Sequence, residues 1–299
     1  MDLQDKTMLI TGATGGIGLS TAAAVAGRGA RVLVTGRNRD TAQAAVAQLK
    51  ARSGNDRIDF LLADLSTQAG VRSLVQQVTT RTDRLDVLVN NAGLAAPTRQ
   101  LTADGIESDF AVNVVTPFLL TQQLLLPLGR SQRARVVTLT GGSHPKQIDV
   151  GNLQAERSFA GLTTYSHAKV AMMAVMYEYA HRLAIPGITV NVCYPGRART
   201  TMTRSVTRDM APAALRLFWP LFALATRPDD GSSAEKASRS SVYLATSPDV
   251  ETMTGQYFDR HSKLVDWPKA TQDPATRTYI WNVVHDLTST PSCDHSPRE

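Results

Sequence analysis

The chain has 299 residues, 42% apolar and 19% charged, with a formal net charge of +6. That balance fits a globular protein able to bury a large core without metals or disulfides, and it excludes low-complexity, collagen-like and disulfide-stapled chains. The basic residues are scattered, with no recognition-helix or zinc-finger spacing, so the charge reads as a mildly basic surface and no nucleic-acid partner is expected.

In chain order, the apolar run at 6–11 predicts a strand and 17–27 a helix of small residues. A strand follows at 30–35, broken by Gly36, then a helix at 40–51. Strands are expected at 58–63 and 85–90, separated by a helix at 71–80. One long helix is expected over 110–128, a strand at 135–140, a second long helix at 165–184 and a strand at 189–193. A helix at 234–245 and a short last strand at 255–258 complete the pattern. Continuously apolar strands alternating with helices predict βαβ units: an α/β, Rossmann-like, doubly wound parallel sheet in a single domain. Residues 1–287 form that domain, and the polar, proline-containing stretch 288–299 is expected to be a disordered tail.

Cys193 lies in an apolar run and Cys293 in the polar tail, which argues against a disulfide framework and for a cytoplasmic chain. The N-terminus enters a strand almost at once, without the pattern of a signal peptide. No apolar run reaches membrane-spanning length, so no membrane span is expected.

In such sheets ligands bind beyond the carboxyl ends of the strands. The first strand leads into Thr11-Gly12-Ala13-Thr14-Gly15-Gly16-Ile17-Gly18. Glycines permit a tight turn and close approach of a pyrophosphate, and the following helix presents free N–H groups and a positive dipole end. The position after the second strand, where an NAD site carries an acid for the ribose hydroxyl, holds Gly36-Arg37-Asn38. Without that carboxylate, and with an arginine fork that suits a 2′-phosphate, the sequence favours NADP(H) over NAD(H).

Tyr165-Ser166-His167-Ala168-Lys169 places a tyrosine and a lysine on one helix face. An ammonium nearby and an oxidised nicotinamide favour the phenolate, so Tyr165 is expected to exchange a proton near neutral pH.

With these motifs together, the chain resembles the short-chain dehydrogenase/reductases over about residues 5–287. The resemblance implies an oxidoreductase in which Thr11–Gly18 carries Thr-Gly-x-x-x-Gly-x-Gly, Asp64 and Leu65 meet the adenine, and Asn90-Asn91-Ala92-Gly93 lines the cofactor. It implies that Asn113 holds a relay water to Lys169. Pro195 and Gly196, with Thr200, would close on the nicotinamide amide. The retinol dehydrogenase and WW-domain oxidoreductase branch is the most similar, through Asn152-Leu153, Gly255-Gln256-Tyr257-Phe258 and the long leader before Tyr165.

One departure stands out. The family has Ser-Ser after the fifth strand, and its second serine bonds the substrate oxygen. Here the run is Thr138-Leu139-Thr140-Gly141-Gly142-Ser143-His144, with Gly141 in that slot. Ser143 can swing in across the paired glycines, Thr140 can serve instead, or no hydroxyl serves; Ser143 is taken as the catalytic candidate. A missing donor costs about 3 kcal/mol of transition-state stabilisation. His144 is open as a substrate-facing residue, and His167 reads as structural or surface. The resemblance implies that 200–230 is a flap over the substrate; its bulky apolar residues, such as Phe218, Trp219 and Phe222, fit a hydrophobic substrate, with completion of the core, an oligomer contact or peripheral membrane contact as the alternatives. The long helices resemble those that pair across a homodimer or homotetramer.

The leading expectation is an NADPH-dependent carbonyl reductase or the reverse alcohol dehydrogenase. An NADP(H)-binding regulator with weak or lost catalysis is the alternative from another class, and a redox-linked isomerase or imine reductase is a third.

Overall fold

A computed structural model describes residues 2–141, 143–182, 185–196, 198, 207–211 and 232–289. The strands are β1 (Thr7–Ile10), β2 (Arg31–Gly36), β3 (Ile58–Leu62), β4 (Val87–Asn90), β5 (Ala134–Leu139), β6 (Ile188–Cys193), β7 (Tyr257–Phe258) and β8 (Leu264–Val265). They form one sheet in the order β3-β2-β1-β4-β5-β6-β7-β8. Every pairing is parallel except β7 with β8. The order runs outward in both directions from the β1–β4 pair, so the switch point lies there.

The core has two faces, as the continuously apolar strands require. Leu9, Leu33, Leu61, Leu88 and Val136 point to one side. Met8, Ile10, Val32, Val34, Val89 and Val137 point to the other. This is the two-residue alternation of strands covered on both faces. Helices α1 (Gly16–Ala26), α2 (Arg39–Ser53) and α3 (Gln68–Arg81) alternate with the first four strands. Small residues let α1 pack closely on α8 (Ser232–Thr246), where the Thr21 and Ser241 hydroxyls share a 2.8 Å hydrogen bond.

The expected single helix at 110–128 is instead segmented. It comprises α4 (Ser108–Phe110), a π-helical turn (Ala111–Val115), α5 (Thr116–Gln123) and α6 (Leu125–Gly129). Pro117 has no N–H to return to the carbonyl of Asn113, and the ladder steps wider: Thr116 N–H reaches Ala111 O. The Tyr165 helix, α7 (Gly161–Arg182), begins a full turn before the tyrosine.

Two elements were absent from the sequence reading. β8 turns back along β7, and α9 (Pro274–Ser289) lies on α7. Thr288 and Ser289 therefore close a helix rather than open the tail, and residues 290–299 lie outside the described residues. The rings of Phe118, Tyr179 and Trp281 meet edge to face with centroids 5.0–5.3 Å apart. Glu178 joins α7 to α9 by accepting from Arg277 Nε at 2.8 Å and Arg182 Nε at 2.6 Å. Arg277 also caps the carbonyls of Thr271 and Gln272 and lies over the Tyr177 ring.

Both arginines hold the Glu178 carboxyl below its usual range against the opposing effect of burial. Glu178→Ala leaves a buried guanidinium unpaired and is expected to destabilise the fold by about 3 kcal/mol at neutral pH. A depressed carboxyl contributes stability above its unfolded pKa and loses it as pH falls through its folded one. The difference in Tm between wild type and variant should therefore shrink in acid; a pH-independent difference would contradict this assignment.

Candidate active site

The switch point is built by backbone proximity. Gly12 has φ +62°, and a Cβ on it would lie 2.9 Å from Ala92 Cα. A Cβ on Gly18 would lie 2.4 Å from Asn91 Nδ2 and 2.8 Å from the Gly12 carbonyl oxygen. Only glycine fits at either place. Asn91 Nδ2 donates to the carbonyls of Thr11 at 2.8 Å and Gly12 at 3.2 Å, and the N–H groups of Asn91 and Ala92 donate to Thr11 Oγ1. Thr14 packs against Gly36, where a Cβ would meet its methyl at 2.5 Å. Gly15 opens to free space, Gly16 has φ +56°, and Ile17 packs against the core. The N-terminus of α1 has no side-chain cap and no acid in its first turn. Such an end fits a pyrophosphate, because its N–H groups and dipole are left for an anion.

At the end of β2, Arg37 is exposed. Asn38 has its side chain engaged: Oδ1 accepts from Thr41 N at 3.0 Å and Thr41 Oγ1 at 2.8 Å, capping α2. The neighbouring Arg39, which the sequence did not single out, sets its guanidinium over the Phe60 ring. Asp64 accepts from the N–H and hydroxyl of Ser66 in a tight turn. Leu65 is buried, and its carbonyl accepts the Thr116 hydroxyl at 2.6 Å. Pro195 is buried, Gly196 has φ +80° beside the Arg260 side chain, and Thr200 lies outside the described residues. Of the expected flap, only 207–211 are described, and Met210 there packs with Tyr165, Ala95 and Leu162.

Tyr165 and Lys169 come together in the crevice. Both are buried, with Lys169 Nζ 6.0 Å from the Tyr165 ring centroid and donating to Leu139 O at 3.2 Å. A Cβ on Gly93 would lie 3.2 Å from Asn113 Oδ1 and 3.5 Å from Lys169 Nζ, so the Asn90–Gly93 run touches the same spot. Asn113 is fully buried, with Oδ1 accepting Leu94 N–H and Nδ2 donating to the carbonyls of Leu94 and Asp109.

The proton affinities differ from the sequence expectation. Burial, then the charge of Asp109 and the phenol of Tyr194, pushes Tyr165 above its ordinary range. Burial lowers Lys169 to about 8, opposed by Asp109. The polypeptide alone therefore does not supply a lowered phenol, because desolvation and the neighbouring Asp109 both oppose its ionisation.

The hydroxyl question has a geometric answer. A Cβ on Gly141 would lie 2.7 Å from Tyr165 Oη, so residue 141 faces the phenol. Thr140 continues the ladder by donating its N–H to Cys193 O, and its Oγ1 is buried without a hydrogen-bond partner. The Ser143 N–H and hydroxyl both reach Ser166 Oγ, at 3.2 and 3.3 Å, rather than the space before Tyr165. His144 sets its ring against Tyr194 and Tyr257, and loss of hydration lowers its pKa. His167 Nε2 accepts the Asp149 N–H at 2.7 Å and anchors the leader before the Tyr165 helix.

A family profile described as short chain dehydrogenase matches residues 6–211. Mouse retinol dehydrogenase 14 is 35% identical over 292 residues, covering 94% of this chain and 85% of that protein. Human polyprenol dehydrogenase is 33% identical over 261 residues, covering 85% and 76%. Among solved structures, a Pseudomonas aeruginosa RhlG/NADP active-site complex is similar at TM-score 0.64 and 28% identity, covering 86% of this chain and 95% of that one. A Burkholderia cenocepacia short chain dehydrogenase in complex with NADP is similar at TM-score 0.64 and 26% identity, covering 87% and 97%. A structure from Mycobacterium paratuberculosis shares the fold at TM-score 0.73 and 23% identity, covering 97% and 96%.

The phenol leans into space that a side chain at 141 would fill. Gly141→Ala is therefore expected to displace Tyr165 Oη and lower turnover about 100-fold, the usual effect of a misplaced reacting group. Ser143→Ala should keep turnover within about threefold, since its hydroxyl is spent on Ser166. Steady-state kinetics on both variants check this, and the reverse ranking would return Ser143 to the reacting centre.

Proposed function

The chain belongs to the short chain dehydrogenase family, and we propose that it is an NADP(H)-dependent oxidoreductase moving hydride between nicotinamide and a carbonyl or alcohol carbon of a hydrophobic small molecule. The observation that carries this reading is the buried pair Tyr165 and Lys169 beside Gly93 and Asn113, at the switch point that the glycine turn enters. NADP(H) supplies the hydride chemistry when bound, and in its oxidised form a positive charge beside the phenol.

In this reading Gly12, Thr14, Gly15, Gly16, Ile17 and Gly18 receive the pyrophosphate, and Arg37 with the backbone at Asn38 receives the 2′-phosphate. Asp64 and Leu65 receive the adenine. Asn91, Ala92, Gly93, Thr140, Pro195, Gly196 and Thr200 border the nicotinamide side. Lys169 holds the ribose and lends its charge. Tyr165 gives its proton to the substrate oxygen in reduction and takes it back in oxidation, and Asn113 keeps the relay to Lys169 in place. With Gly141 bare, Tyr165 is the principal side-chain donor to that oxygen. NADP in two solved relatives supports the cofactor choice, and the apolar 200–230 segment supports a hydrophobic substrate.

Among the described residues no helix is long and apolar enough to cross a membrane. The cysteine usage favours a cytoplasmic chain. A homodimer or homotetramer built on the long helices would have to accommodate α9, which lies on α7. A cofactor-binding regulator is the second reading, favoured by the bare slot at Gly141; a redox-linked isomerase or imine reductase would use the same groups.

Purified protein followed by nicotinamide absorbance, across a panel of hydrophobic ketones and aldehydes, tests this. Tyr165→Phe is expected to lose about 1,000-fold in turnover. Arg37→Ala should weaken NADPH about 10-fold while leaving NADH unchanged, as for loss of a charge-assisted bond. Tight NADPH binding without turnover on any substrate would favour the regulator, and equal use of both cofactors would remove the NADP(H) preference.

A further inference from the structure

Behind the loop that packs on Tyr165 sits a buried carboxyl with no part in the proposed proton transfer. Asp109, one helical turn before Asn113, is fully buried. Its Oδ1 accepts the backbone N–H of Ala96 at 2.8 Å, and its Oδ2 is buried without a hydrogen-bond partner. Ala95, the preceding residue, packs against Tyr165. Asn113 holds Leu94 from the next turn and ties back to the Asp109 carbonyl. Asp109 and Asn113 thus grip consecutive stretches of the loop that walls the phenol.

The charged groups bearing on this carboxyl come from two elements. Glu107, on its own helix, is occupied by the N–H groups of Asp109 and Phe110 and by the Ser108 hydroxyl. Lys169 and Tyr165, on α7, interact with it electrostatically. The loop at 94–96 contributes only backbone, and Tyr194 bears on Tyr165 from beyond β6.

Resting on the oxidoreductase reading, we infer that Asp109 is a positioning residue of this site: it pins the phenol's wall through Ala96, and its charge, set against the Tyr165 hydroxyl and the Lys169 ammonium, determines the pH at which that pair exchanges its proton. Burial raises the Asp109 carboxyl to about 7; Glu107 adds to this, and the Ala96 N–H and Lys169 oppose it. With Lys169 lowered to about 8, two members of the trio titrate near neutrality. The sign follows from Coulomb's law. Ionised Asp109 disfavours the phenolate and favours the ammonium, and neutral Asp109 releases both constraints. The unmatched Oδ2 is where such a carboxyl keeps its proton at the lower end of this range.

Asp109→Asn removes the charge yet keeps an oxygen for the Ala96 N–H. The pH dependence of kcat/KM is measured in both directions with NADP(H) and a hydrophobic carbonyl–alcohol pair. Tyrosinate absorbance is titrated in parallel, each protein differenced against the same protein carrying Tyr165→Phe. The expected result is a Tyr165 ionisation lowered by about one pH unit or more, with oxidation gained and reduction lost at correspondingly lower pH. A purely structural role would lower rates without moving either curve, so superimposed titrations would overturn the inference.

Thermal unfolding is an independent check. A carboxyl raised from 3.8 to about 7 on folding costs the wild type stability as pH rises through that window, so the Tm advantage of the variant should grow across it. Asp109→Ser is the second neutral variant should the first fail to fold. Wild-type protein without turnover on any substrate would count against the oxidoreductase reading alone, since the absorbance titration still decides the role of Asp109.

Discussion

The site depends on one contact: the side-chain amide of Asn91 bonded to the carbonyls of Thr11 and Gly12 across the β1–β4 junction. It fastens the glycine turn to the loop that continues through Gly93 to Ala96. The same loop touches Lys169 and Asn113 at Gly93 and Tyr165 at Ala95. The glycine turn and the Tyr165–Lys169 pair therefore share one short piece of backbone. Gly12 and Gly18 leave no room for a β-carbon, and one on Gly93 would crowd Asn113 Oδ1 at 3.2 Å.

Burial determines the electrostatics built on this frame. A phenol, an ammonium and a carboxyl are all withdrawn from water, and each shifts toward its neutral form. The carboxyl bears electrostatically on both of the others, raising the phenol further and favouring the ammonium. The missing side chain at 141 matters within this set. It removes a hydroxyl that family members place before the tyrosine and also lets Tyr165 Oη occupy the freed volume. Restoring a serine there would thus compete with the phenol for space.

The C-terminal elements have a different role. α9 seals the outer side of α7 through Trp281 and the Arg277–Glu178 pair, and so steadies the helix that carries Tyr165 and Lys169. Its apolar and charged residues are ordinary for a surface helix, and no local signal in 274–289 announces what it packs on.

The alternation of apolar runs with helical stretches, the glycine turn at 12–18 and the four-residue spacing of Tyr165 and Lys169 were enough to predict a doubly wound parallel sheet through β7 and the placing of Tyr165 and Lys169 on one helix face. These are local patterns, in which the period and spacing of residues act through short-range sterics and a helix face. That residue 141 faces the phenol, why the helix at 111–115 widens, and that Asp109 is buried behind the loop beside Tyr165 were decided only by the tertiary structure. They depend on the approach of Gly141 to the phenol, on Asn113 gripping a loop about 19 residues earlier in the chain, and on desolvation. Desolvation is a property of the whole packed surroundings, and no stretch of sequence states it.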